Sequence, residues 1–140
     1  MAPTITGRCL CGSVTFQSSL APFASRACWC RDCQYLAAGN AAINVVFVKD
    51  HLTITGPLST YQSTADSGHA VQRSFCPRCG TPLFGESAAA PGLLAVRAGT
   101  LDDPSLGRPD GFIWTERAPE WGMIDHTLEN LPRQTPPPAA

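Results

Sequence analysis

The 140-residue chain has the length of one domain, and a chain of that size can bury about two-thirds of the surface its unfolded form exposes. A content of 44% hydrophobic and 15% charged residues excludes intrinsic disorder, and no apolar run reaches membrane-spanning length. Ten basic against eleven acidic residues give a formal charge of −1 without a basic patch, so neither nucleic acid nor a membrane is an expected partner. The first eight residues have neither the basic flank nor the apolar stretch of a secretion signal, which predicts a cytoplasmic protein.

Twelve Gly and thirteen Pro argue for short strands joined by loops. From Gly12 to Gln17, Val14 and Phe16 alternate with polar residues, which predicts a half-buried strand. Arg31 to Ala38 reads as a two-turn helix with Gly39 placed to end it. Further strands are predicted at Ile43 to Val48, Leu52 to Thr55 before the Gly56-Pro57 turn, Val71 to Phe75, Leu93 to Ala98 and Phe112 to Trp114. A late helical turn is expected around Asp125 to Leu131, where Pro132 would stop it. The domain is therefore set at residues 1–131, and the Pro-rich segment 132–140 is read as a flexible tail.

Cysteine is the outlier. Seven thiols, an odd number with no secretion signal, point to metal binding rather than to a disulfide framework. They fall into three groups: Cys9-Leu-Cys11-Gly12, Cys28-Trp-Cys30-Arg-Asp-Cys33 and Cys76-Pro-Arg-Cys79-Gly80. In the last, the two-residue spacing brings both thiolates to one ion, and glycine after the second cysteine permits the positive φ of a zinc knuckle. A knuckle supplies two ligands, whereas a structural zinc takes four. One division of the thiols is four plus three: a closed, inert site and a second whose open position suits catalysis. Another joins Cys30 and Cys33 to Cys76 and Cys79 as a zinc ribbon, leaving Cys9, Cys11 and Cys28 over; spacing alone leaves both open.

Four motifs in order carry a resemblance: G-x-C-x-C-G-x-V-x-F at Gly7 to Phe16, C-x-C-x-D-C at Cys28 to Cys33, F-C-P-x-C-G-T at Phe75 to Thr81, and A-G-T-L-D-D-P at Ala98 to Pro104. Together they resemble the family of glutathione-dependent formaldehyde-activating enzymes, which includes centromere protein V. The resemblance implies a mainly β protein, a zinc-binding β-tent of short antiparallel strands and long loops, similar to a Rab exchange factor and to methionine sulfoxide reductase B. It implies two zinc ions as cofactors, a structural one on Cys9, Cys11, Cys76 and Cys79 and a catalytic one on Cys28, Cys30 and Cys33. It also implies a carbon–sulfur lyase that takes glutathione, or a similar thiol, and a small electrophile, forming S-(hydroxymethyl)glutathione when the electrophile is formaldehyde. Members often carry His between the first two cysteines of the middle motif, where this chain has Trp29.

Trp29, lying between two expected ligands, is read as a neighbour of the metal and part of the co-substrate site, whereas Trp114 and Trp121 are assigned to the core. Asp32 sits where it could accept a proton or orient a ligand thiolate, and equally where a carboxylate favours a helix N-terminus. Arg73, Arg97 and Arg117 are candidates for the carboxylates of a glutathione-like tripeptide. His51, His69 and His126 each stand alone in loop-like sequence and read as surface. The reading from another class, a non-catalytic zinc module that binds a protein partner, would need a second closed site or a basic extension; the sequence has no such extension.

Overall fold

A computed structural model of the chain describes residues 4–134. Eleven short strands and one α-helix follow in order: β1 (Ile5–Arg8), β2 (Thr15–Ser18), β3 (Ala24–Cys28), α1 (Arg31–Leu36), β4 (Ala42–Val48), β5 (Leu52–Thr55), β6 (Ser59–Thr64), β7 (Ala70–Phe75), β8 (Pro82–Ser87), β9 (Leu93–Arg97), β10 (Gly111–Ile113) and β11 (Glu129–Asn130). Among the described residues no helix is long and apolar enough to cross a membrane.

The strands form two sheets. A small one runs β1-β2-β5, and a large one runs β11-β10-β3-β4-β9-β8-β7-β6. Pairing is antiparallel except where β10 lies parallel to β3 and β11 parallel to β10. The fold is thus mainly β with short antiparallel strands, as expected, and the parallel pairs are confined to one edge of the large sheet.

Strand periodicity gives the large sheet two different faces. Val45 and Phe47 of β4, with Leu94 and Val96 of β9, are buried against the small sheet, where they meet Ile5, Val14 and Phe16. The Phe16 and Phe84 rings meet edge to face at a centroid distance of 5.3 Å. The intervening residues, Ala42, Asn44 and Val46 of β4 and Ala95 and Arg97 of β9, turn the other way. On that face a smaller buried cluster forms from Cys28, Cys33, Ala42, Ile113 and Trp114.

The elements that sequence periodicity missed are those whose residues are not apolar in the pattern. Strand β3 reads Ala-Ser-Arg-Ala-Cys, and β6 is polar because it forms an edge of the large sheet. Strand β8 begins at a proline, contains a glycine and lacks alternation, and Leu83, Phe84 and Gly85 are all buried because both of its faces are covered. The late helical turn does not form: a turn stabilised by Asp125, whose carboxylate accepts from the Thr127 amide at 2.9 Å, leads into β11. Of the Pro-rich segment, residues 135–140 lie outside the described residues. Arg133 and Gln134 contact Trp114, the first through its carbonyl on the Trp114 amide, the second through its side-chain oxygen on the indole N–H at 2.8 Å.

Truncating Phe16 to Ala should cost about 3–4 kcal/mol, since it removes a buried ring and its edge-to-face partner contact from the central core. Truncating the exposed Leu20 should cost under about 1 kcal/mol. Denaturant unfolding of the metal-loaded protein at fixed metal concentration separates the two.

Candidate metal centres and active site

Two turns far apart in sequence build the first cluster. Cys9 follows β1 and Cys11 follows two residues later; Cys76 and Cys79 lie in the turn from β7 to β8. Each turn closes on a glycine in the left-handed region, Gly12 at φ 80° and Gly80 at φ 76°, whose amides donate to the carbonyls of Cys9 and Cys76. That conformation frees neighbouring amides to point at sulfur. The Val14 N–H donates to Cys9 Sγ at 3.3 Å, and the Arg78 and Cys79 N–H groups donate to Cys76 Sγ at 3.3 and 3.4 Å.

All four sulfurs lie within 4.8 Å of one another. Cys11 Sγ stands 3.7 Å from Cys9 Sγ and 3.8 Å from Cys76 Sγ. Four sulfurs at about 2.3 Å from one tetrahedral ion stand about 3.8 Å apart, so this spacing fits zinc. Two of the four thiols are held below their ordinary value, whereas Cys11, despite its hydrogen bonds with Ser13, is raised by burial and by Cys9 and Cys79. Hydrogen bonding with Thr81 and from backbone amides holds the Cys79 thiol at about 5. Burial pushes Cys9 up, but the Val14 amide and the neighbouring Cys11 and Ser13 side chains outweigh it and hold it at about 7.

The second cluster gathers Cys28 at the end of β3, Cys30 at the cap of α1 and Cys33 in its first turn, again with all sulfurs within 4.8 Å. The Cys33 amide donates to Cys30 Sγ at 3.3 Å. Cys28 and Cys33 are buried and Cys30 is half-buried. Interaction with Cys30 and Cys33, together with burial, pushes the Cys28 thiol far up, whereas hydrogen bonds with Cys28 and Cys30 hold Cys33 well below its ordinary value. A tight group of thiols cannot ionise together without a compensating cation.

The open face of the large sheet supplies such charge. Asn44 and Arg97 are register partners on β4 and β9. The Arg97 guanidinium donates to Asn44 Oδ1, and Asn44 Nδ2 lies 3.9 Å from Cys33 Sγ. Arg97 stretches across β8 at Gly85, where a Cβ would stand 3.0 Å from Nη2, so any larger residue there crowds the guanidinium. Burial lowers the Arg97 pKa and the Cys33 thiolate opposes that shift. Its Nε is buried without a hydrogen-bond partner. Beside it, Arg73 of β7 donates to Ser63 Oγ at 2.6 Å and to Asp32 Oδ2 at 3.0 Å.

These positions decide several readings. The zinc-ribbon division fails, because Cys30 and Cys33 group with Cys28 and not with Cys76 and Cys79. Trp29 is turned away from the cluster: its side chain is fully buried, its N–H donates to the Met123 carbonyl at 3.3 Å, and it packs edge-on against Trp121 and closely over Gly122. Its place beside two cysteines in sequence did not turn its indole toward the thiols, because successive residues of an extended chain point to opposite sides. Trp121, expected in the core, is 68% exposed, whereas Trp114 is buried as expected. Asp32 is engaged by Arg73 in the first turn of α1. Arg97 faces the cluster and Arg73 lies beside Arg97; Arg117 instead stacks over Trp114. His51, His69 and His126 are exposed, and none joins either cysteine group. Sequence reasoning missed Asn44, although an amide inside the β-branched run Ile43 to Val48 was a visible signal.

Fold and site define a mainly β protein with two separate cysteine clusters, each able to hold zinc. A family model described as glutathione-dependent formaldehyde-activating enzyme matches residues 4–117, and the chain belongs to that family. A crystal structure of a Rhodobacter sphaeroides protein shares the fold with a TM-score of 0.59 at 24% identity, covering 74% of this chain and 96% of that one. A search of curated proteins found no match.

Cys79→Ala should remove the metal of the four-cysteine site and much of the folded structure, since such sites contribute directly to folding. Cys30→Ala should leave a folded protein that has lost one metal ion. Circular dichroism with metal analysis checks both; a folded Cys79→Ala protein with two zinc ions would refute the assignment. Zinc uptake by the four-cysteine site should also weaken as pH falls: Cys11, held above its ordinary value, already competes as a protonated thiol at neutral pH, and Cys9 and then Cys79 add to the competition as pH falls through about 7 and about 5. Chelator competition between pH 8 and 4.5 measures this.

Proposed function

We propose that the protein is a zinc-dependent carbon–sulfur lyase acting on glutathione, or a related thiol, and a carbonyl electrophile. Cys28, Cys30 and Cys33 hold the zinc of the reaction; Cys9, Cys11, Cys76 and Cys79 hold a structural one. Family membership supports the coarser part of this reading, a glutathione-related formaldehyde-activating function. One observation carries the finer part: three thiols are gathered with no fourth His, Cys, Asp or Glu ligand among the described residues. A three-ligand set leaves a coordination position for a reactant, whereas the four-ligand set is complete. The same observation argues against a purely structural pair of zinc sites.

When bound there, zinc supplies a positive charge that favours the thiolate form of an added thiol at neutral pH. The chain's own residues do the rest. Arg97 places a buried guanidinium beside the thiolates and offsets their negative charge. Asn44 bridges Arg97 to Cys33 and so fixes both. Arg97, with its unpartnered Nε, and Arg73 form a cationic side of the site suited to a carboxylate of the thiol. Asp32 orients Arg73 rather than acting as a free base. In the addition direction the thiol sulfur bonds to the carbonyl carbon, the C=O π bond breaks, and the oxygen takes up the proton the thiol released. The reverse reaction breaks the C–S bond and returns that proton to sulfur.

The protein should bind two zinc ions per chain, and added glutathione should raise the mean number of sulfur neighbours per zinc seen by X-ray absorption, with Cys30→Ala abolishing the change. Wild-type protein should catalyse adduct formation between glutathione and an aldehyde, and chelation of the weaker-held zinc should stop it. An unchanged metal environment with saturating glutathione would refute the reading.

A further inference from the structure

A cleft of about 690 Å³ opens on the same sheet face that carries the three-cysteine cluster. Phe23, Val46, Leu93, Ala95, Ile113 and Trp114 give it an apolar lining. It adjoins the cluster across Asn44, Ile113 and Trp114. Ile113 and Trp114 pack with Cys28 and Cys33 on one side and line the cleft on the other, and Asn44 borders the cleft while its amide approaches Cys33.

The cationic groups around the cleft are paired with carboxylates, although Arg26 Nε is buried without a partner. Arg26 pairs with Asp110 and lies 3.6 Å from Glu129, and Arg133 pairs with Glu116 at 3.0 Å. Asp66 and His69 stand exposed at the lip. The site is therefore divided by chemistry: Arg73 and Arg97 form a polar side toward β7, and the cleft forms an apolar side toward β3, β4 and β10. A tripeptide thiol, with two carboxylates and an ammonium, suits the polar side. The apolar side is far larger than formaldehyde needs and matches cavities that hold organic ligands. Its wall includes Trp114 at φ 57°, a left-handed conformation that is costly for a bulky residue and that tends to be kept where a side chain must hold a functional position.

We infer that this cleft receives an apolar, aromatic substituent carried on the carbon bonded to the thiol sulfur, so that the substrates are thiol adducts of aromatic aldehydes. The inference rests on the reading of Cys28, Cys30 and Cys33 as the reaction site. The step is balanced without an oxidant: R–SH and Ar–CHO give R–S–CH(OH)–Ar, the sulfur bonding to the carbonyl carbon and the proton passing to oxygen.

The test compares binding of two inert thioethers, S-benzylglutathione and S-methylglutathione, to the zinc-loaded full chain by calorimetry. S-benzylglutathione should bind about tenfold or more tightly than S-methylglutathione. Two variants should shrink that preference severalfold: Ala95→Trp, which fills the cleft, and Phe23→Ala, whose ring is 55% exposed at the rim and whose loss does not endanger folding. Equal affinity of the wild type for both ligands would overturn the inference. So would variants that weaken both ligands equally, because the peptide would then occupy the cleft. Selective, variant-sensitive binding without turnover of any aldehyde adduct would support the cleft assignment and refute the lyase reading, so the two fail separately.

Discussion

Four sulfurs from two distant turns must come within a tetrahedron's edge of one another, and this constraint joins the two sheets. Cys9 and Cys11 belong to the turn of the small sheet, Cys76 and Cys79 to the turn between β7 and β8 of the large one, and their sulfurs meet at 3.7 and 3.8 Å. The Leu10 amide adds a donor bond to Thr81 Oγ1 across the same junction at 3.1 Å. Packing between the sheets then follows from strand periodicity, with Phe16 and Phe84 at its centre. In a fold of short strands and many loops, a metal ion held by these sulfurs would limit the entropy that the core must offset.

The opposite face of the large sheet carries the smaller buried cluster and the second group of thiols. Side chains two apart on β4 and β9 divide between the core and this second face, so one run of sequence serves both. Asn44 and Arg97 sit opposite each other in register because β4 and β9 pair antiparallel, and β8 offers Gly85 where the guanidinium must pass. The outcome is a buried cation a short way from three thiols, with an apolar cleft on one side and a second arginine on the other. Charge and apolarity are thereby kept apart within one surface, which is a condition for holding a ligand that has both a charged and an apolar end.

The legibility of the parts in sequence followed their physics. Strands β2, β4, β5, β7, β9 and β10 were visible from alternation or β-branched residues, and α1 from the glycine that ends it. Strands β1, β3, β6, β8 and β11 were not, since each is small, polar or interrupted by Gly or Pro and owes its conformation to neighbouring strands. The late segment shows the same rule in reverse: Asp125 to Leu131 has helical composition, yet a side-chain turn and pairing with β10 prevail over propensity.

The sequence by itself determined the donor chemistry and the local turns. Two cysteines with two residues between them and a following glycine specify a metal-binding turn through a handful of adjacent residues, so the Cys76–Gly80 turn, the dense middle triad and the family could be read from the chain, with the role of Cys9 and Cys11 implied by the family resemblance. Only the tertiary structure decided which thiols share a site, since Cys11 and Cys76 are 65 positions apart and no local rule relates them. It also decided that Trp29 packs on Gly122 while Trp114 borders the cleft, and that Arg97 rather than Arg117 reaches the cysteines. These outcomes depend on strand register and on which face a residue occupies, and both are set by pairing across the sheet, a property of no single segment.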